Sequence, residues 1–183
     1  MISQETIKDL KIISTRENLK RLEFAKLKIS DMPDSIEKCV NLRELSIKNS
    51  LIERIGDFVG KLEKLKKIRI YRCSEFKSIS EEVGRCRELR SLEITNLWER
   101  CEFKELPKTV SKLKKLETLG LRGTKITVLP EWMKELKQLQ TLYLGSTQIT
   151  ALPEWMKELK QLQTLYLGDT KITALPEGMK ELK

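Results

Sequence analysis

The chain has 183 residues, 39% hydrophobic and 34% charged, with a net charge of +9 and no histidine. It contains no run of 18 apolar residues, which excludes a helical membrane span, and its start, MISQETIKDLKII, lacks the basic n-region and continuous apolar stretch of a secretory signal. The expectation is a soluble protein made without export by that route, and the lack of histidine removes Ser-His and Cys-His nucleophiles together with most zinc sites.

Residues 1–18 fit no repeat frame; IKDLKII has helical spacing and is expected to cover the first coil. From residue 19 to 183 the frame L-x-x-L-x-L-x-x-T-x-I-x-x-L-P recurs, in units beginning at Leu19, Leu42, Leu65, Leu89, Leu116, Leu139 and Leu162. A near-identical doublet sets the register. Residues 131–153, EWMKELKQLQTLYLGSTQITALP, return as 154–176 with changes only at Ser146/Asp169 and Gln148/Lys171. A unit of 23 residues is too small to bury its own apolar face and must stack on its neighbours.

Within a unit, Leu142 and Leu144 alternate with Tyr143, which predicts a short strand with the leucines inward and the tyrosine outward. Ile149, Leu152, Met156 and Leu159 turn inward again, and Pro153 with Glu154 suits the first turn of a short helix. Each coil is therefore strand, turn, short helix or 3-10 turn, and return, with successive strands parallel on a concave face. Three inward columns follow. They are Leu22, Leu45, Ile68, Leu92, Leu119, Leu142, Leu165; then Phe24, Ile47, Ile70, Ile94, Leu121, Leu144, Leu167; then Cys39, Leu62, Cys86, Leu113, Leu136, Leu159, Leu182. The third makes Cys39 and Cys86 core residues. With no C-x-x-C among Cys39, Cys73, Cys86 and Cys101, reduced cytosolic thiols are expected.

The segments LQTLYLGSTQITALP and LETLGLRGTKITVLP, with looser copies LRELSIKNSLIERI and LKRLEFAKLKISDMP, resemble leucine-rich repeats. The unit length with Leu-Pro after the strand is most similar to the intracellular type seen in Ras-group scaffolds, plant resistance receptors and many bacterial members. The resemblance implies an α/β solenoid, a right-handed horseshoe of about seven coils, and the habit of binding proteins. Many such repeats carry Asn in the turn after the strand. Here that place holds Thr124, Thr147, Thr170, Ser50, Cys73 and the apolar Leu27 and Leu97, so the last three units are expected to be regular and the first four more distorted.

Two units are longer than 23 residues. The unit at Leu65 has one extra residue near 73–76, and the unit at Leu89 has four within NLWERCEF (96–103), where Trp98 is either a local plug or a contact residue. The last unit is incomplete, since its next leucine would fall at 185. That suggests a longer protein, or a last coil covered by a partner such as a second copy.

No catalytic constellation emerges. Residues 120–125, GLRGTK, lack the spacing of a phosphate loop, and carboxylates such as Glu131 pair with lysines at helical spacing. Neither a cofactor nor a metal is expected. The candidate surface is the concave face, whose outward positions include Lys48, Lys67, Arg69, Tyr71, Arg72, Glu93, Asn96, Arg122, Tyr143 and Tyr166. Tyr and Arg beside small residues is the composition of a protein-binding patch, although duplication alone also explains the matched tyrosines. Four cations at Lys48, Lys67, Arg69 and Arg72 are expected to repel one another unless they meet an acidic partner. The other lysines recur at repeat positions and read as solvated coil surface; Trp132 and Trp155, one coil apart, are expected to pack over lysine stems.

The function expected is a non-enzymatic recognition or scaffold module that binds a protein, one with an acidic surface to meet the basic strip, through the concave face in the cytoplasm. Alternatives are a basic strip binding nucleic acid or anionic lipid, disfavoured by the interleaved Glu23, Glu44 and Glu93, or the recognition segment of a larger receptor or a bacterial effector delivered to a host cytosol.

Overall fold

The computed structural model describes residues 18–96 and 101–181. The proposed N-terminal cap, apart from residue 18, and Trp98, Leu97 and Leu182 lie outside those residues. The described chain coils seven times. Its strands are β1 (Arg21–Ala25), β2 (Glu44–Lys48), β3 (Arg54–Ile55), β4 (Lys67–Tyr71), β5 (Ser78–Ile79), β6 (Ser91–Thr95), β7 (Thr118–Gly120), β8 (Thr141–Tyr143) and β9 (Thr164–Tyr166). β1, β2, β4, β6, β7, β8 and β9 form one sheet in that order, and β3 pairs with β5 on the flank. Every pairing is parallel, with Leu22 beside Leu45, Leu45 beside Ile68, and Ile68 beside Leu92. The solenoid follows from this register, since identical inward positions stack coil upon coil.

The convex elements are seven five-residue 3-10 helices, Asp34–Lys38, Asp57–Lys61, Glu81–Arg85, Lys108–Lys112, Glu131–Glu135, Glu154–Glu158 and Glu177–Glu181. Pro33, Pro107, Pro130 and Pro153 precede four of them in extended conformation, where a missing N–H removes no bond. Each of the first six closes when the residue after it donates its N–H three residues back, as Leu136 does to Met133 C=O at 3.0 Å. A 3-10 rather than an α geometry fits so short a crossing.

The inward columns are buried from the first coil to the sixth, and in the seventh Leu165 and Leu167 are half-buried. Phe76 and Phe103, in the two lengthened units, stack at 5.6 Å between centroids and are fully buried, taking the place that Ile52, Ile126 and Ile149 hold in other coils.

The turns after the strands depart from expectation in three ways. Lys26, Asn49, Arg72, Ser146 and Asp169 adopt positive φ between 49° and 59°, with Gly123 at 70°, so the chain leaves the sheet through a left-handed residue. In the fourth coil Asn96 occupies that place without positive φ; it is buried, not outward, and its Nδ2 donates to Cys73 C=O at 2.7 Å. The hydroxyls of Thr124, Thr147 and Thr170 bond within their own coils, to Leu121, Leu144 and Leu167 C=O at 2.7, 2.6 and 2.8 Å. Cross-coil side-chain bonding from such turns falls to Asn96, to Ser50, whose Oγ accepts from Leu27 N–H at 3.0 Å, and to Cys73, whose thiol donates to Ile47 C=O at 3.8 Å. The first four units are also the ones with five-residue strands, while the last three have three-residue strands. The expected distortion of the N-terminal half is therefore corrected: strand pairing there is more extensive.

Candidate interaction surface

The concave sheet places its outward side chains in rows one coil apart, and in the first four coils those rows are ion-paired. Arg21 meets Glu44 at 2.9 Å and Lys48 meets Glu23 at 2.9 Å. Half-buried Glu93 accepts from Ser91 Oγ at 2.9 Å and faces Arg69 at 3.3 Å and Lys67 at 3.4 Å. Burial raises the Glu93 pKa, but the Ser91 hydroxyl and the two cations outweigh it and hold the carboxyl below its ordinary value. The expected mutual repulsion of Lys48, Lys67, Arg69 and Arg72 is thus corrected. Three of these cations have carboxylates from adjacent coils, and Arg72 lies 5.0 Å from the Tyr71 ring centroid. Reading the register across coils, which sets Arg69 beside Glu93, exposes this pairing in the sequence itself.

The C-terminal half of the same face is different. Tyr143 and Tyr166 sit 6.4 Å apart at 53° and stay 38% and 40% exposed. Arg122 lies 5.4 Å over the Tyr166 ring, and its buried Nε has no hydrogen-bond partner. Gly145 and Gly168 seat the Tyr166 ring. A Cβ on Gly145 would lie 2.5 Å from Tyr166 Cε1, and one on Gly168 would lie 2.8 Å from the Tyr166 hydroxyl. The structure therefore gathers Arg122, Tyr143 and Tyr166 into one platform and leaves Lys48, Lys67, Arg69 and Glu93 in a separate, charge-matched region.

A cleft of about 720 Å³ on the flank of the third to fifth coils was not foreseen. Its apolar lining includes Leu106, Ile126, Leu129 and Val128, which is 70% exposed. Trp132 reaches the cleft and, like Trp155, is partly buried against the core. The signal in the sequence was Val128 standing where the doublet has Ala151 and Ala174.

The four thiols are free and buried. Burial raises Cys39, takes Cys73 to about 11 and takes Cys86 to about 12, so all three stay protonated at neutral pH. Among the described residues no helix is long and apolar enough to cross a membrane.

Stacked parallel strands and 3-10 crossings, repeated coil after coil, define a repeat solenoid. The leucine rich repeat family profile matches residues 114–172. Among solved structures the chain is similar to a Leptospira interrogans LRR protein at 30% identity and TM-score 0.82, covering 94% of this chain and 43% of that one. It is also similar in fold to the leucine-rich repeat domain of the type III effector XopL, at 23% identity and TM-score 0.80, covering 93% and 58%. An internalin (inlF) from Listeria monocytogenes shares the fold at 22% identity and TM-score 0.60, covering 93% and 54%. The chain thus spans about half the length of the solved proteins it matches. The comparison with curated proteins gave no match. The chain belongs to the leucine-rich repeat family, whose fold is commonly a protein-interaction module and typically non-enzymatic.

Proposed function

We propose that this protein is a non-enzymatic recognition module that captures a protein partner on the concave face, centred on Arg122, Tyr143 and Tyr166, with Arg72 and Tyr71 at the edge of the contact. The observation that carries this reading is the platform itself. Two half-exposed rings stand one coil apart, that of Tyr166 seated over Gly145 and Gly168, and above it lies a guanidinium whose Nε has no acceptor. Rigid aromatic area and an under-satisfied cation are what an anchor site offers, and an acidic group on the partner would complete the Arg122 donor set. A partner of this kind fits a cytoplasmic setting, where buried thiols stay reduced.

The alternative of a polyanion on the basic concave strip loses its main support, because Lys48, Lys67 and Arg69 already face Glu23 and Glu93. The test is affinity capture from a lysate of the source organism with wild type, Tyr143→Ala/Tyr166→Ala and Arg69→Glu. Species retained by wild type should be lost from the tyrosine variant, at unchanged melting temperature, and kept by Arg69→Glu. Equal retention by the tyrosine variant would overturn the assignment.

A further inference from the structure

The excess positive charge is not spread over the solenoid. Residues 38–43, 61–66, 85–90 and 112–117, the stretches that lead from a 3-10 helix back to the next concave strand, each carry a net +2 and so hold +8 of the chain's +9. The equivalent stretches 135–140 and 158–163, both ELKQLQ, are neutral. Those neutral coils stack on the same fold with the same buried leucines, so the fold does not need the charge at these positions; its restriction to the first four coils calls for another cause.

Backbone bonds fix the arrangement. Arg43 N–H donates to Lys20 C=O at 2.8 Å, Lys66 to Arg43 at 2.8 Å, and Arg90 to Lys66 at 2.9 Å. Lys20, Arg43, Lys66 and Arg90 are therefore consecutive rungs of one ladder, all exposed, with rungs about 4.8 Å apart. The ladder continues as Glu117, Gln140 and Gln163, where the charge ends. Lys38, Lys61, Arg85 and Lys112, each the last residue of its 3-10 helix, form a second exposed row. Arg85 pairs with Glu82 and Arg90 with Glu117, while among the described residues Lys20, Lys38, Arg43, Lys61, Lys66 and Lys112 form no direct ion pair, although Lys66 and Lys112 lie near enough to Glu88 and Glu81 to favour their charged forms.

We infer that this flank is a docking surface for an anionic lipid membrane. In-register coils of a solenoid present their flank as a plane, and two parallel rows of long cationic side chains suit a plane of headgroups. Val40, 46% exposed between Lys38 and Arg43, adds an apolar contact at the level of the headgroups. Nucleic acid fits less well: none of the four stretches holds an aromatic residue to stack on a base. The concave face stays free, so a membrane-docked molecule still presents the Arg122–Tyr166 platform to a partner.

The probe is co-sedimentation with vesicles of phosphatidylcholine alone or with about 30% phosphatidylserine, where each surface cation contributes roughly a fivefold gain. Wild type should pellet with the anionic vesicles only and be released as salt rises from about 0.05 to 0.5 M, as the Debye length shrinks. The variant Lys38→Gln/Arg43→Gln/Lys61→Gln/Lys66→Gln removes exposed side chains without direct ion pairs, so it should keep its melting temperature and lose at least about 100-fold in vesicle affinity. Lys137→Gln/Lys160→Gln on the neutral coils and Tyr143→Ala/Tyr166→Ala on the concave face should bind vesicles as wild type does. No binding to anionic vesicles at low salt, or equal binding by the fourfold variant, overturns the inference. Retention of a 20-base-pair duplex without retention of vesicles also overturns it and reassigns the rows to nucleic acid.

Discussion

Asn96 shows how one side chain compensates for a broken repeat. In the lengthened fourth unit Asn96 stands where the neighbouring coils have a left-handed residue, and its amide reaches across to Cys73 C=O. Both groups lie in the dry interior, and although Cys73 C=O also accepts from Phe76 N–H at 3.2 Å, truncating Asn96 removes the shorter of its two bonds and leaves a void between the coils. Asn96→Ala should therefore destabilise the fold by about 1–3 kcal/mol, read as a lower urea midpoint at unchanged slope. Thr170→Val, which removes a bond made within a half-buried coil, should cost under about 1 kcal/mol by the same measurement. Similar losses for the two variants would show that the cross-coil bond has no special weight. The inward turn of Asn96 was not legible in the sequence, because the repeat frame, which holds for units of 23 residues, puts that position on the outward side and this unit is four residues longer.

At the fourth position of the convex 3-10 helices, Gly60 and Gly84 let the next coil approach closely, where the other coils have Glu37, Ser111, Lys134 and Lys157. A Cβ on Gly84 would stand 2.6 Å from Thr109 Cβ and 2.9 Å from Thr109 C=O, and one on Gly60 would meet Glu82 Cβ at 2.9 Å. The Thr109 contact includes backbone that is itself tied down, since Thr109 N–H donates to the Glu81 carboxylate at 3.1 Å. Gly84→Ala must push two coils apart and should cost about 1–3 kcal/mol, the usual range for overpacking. Gly56→Ala, whose Cβ meets nothing nearer than 3.7 Å at φ −77°, should fall within about 1 kcal/mol of wild type. Thermal melts of the pair decide the matter, and equal melting temperatures would mean that the helices slide freely. The strands and their inward columns were legible because a leucine every second and third position is the direct imprint of burial. The glycine spacing was not, because closeness between helices of different coils leaves no periodic trace within one coil.

A solenoid holds together by neighbour contacts, so its stability has a direction along the axis. Five-residue strands pair in coils one to four and three-residue strands in coils five to seven, and the buried columns of the sixth coil give way to half-buried Leu165, Leu167, Ile172 and Met179 in the seventh. The seventh coil thus holds less buried apolar surface than the inner coils. Its opening should leave the rest standing, a sub-global event of lower free energy than unfolding of the whole. The charge map runs along the same axis: cationic and ion-paired where strands are long, neutral and aromatic where they are short. The platform for a partner thus lies on the softer end, where Tyr143 and Tyr166 gain most from being ordered by a ligand. Hydrogen exchange read by mass spectrometry tests the gradient. Peptides from residues 159–181 should exchange at least about tenfold faster than those from 44–71, the ratio expected for a difference of ~1.4 kcal/mol. Uniform protection across the chain would mean that all seven coils open as one unit, and the platform would then be as rigid as the charged half.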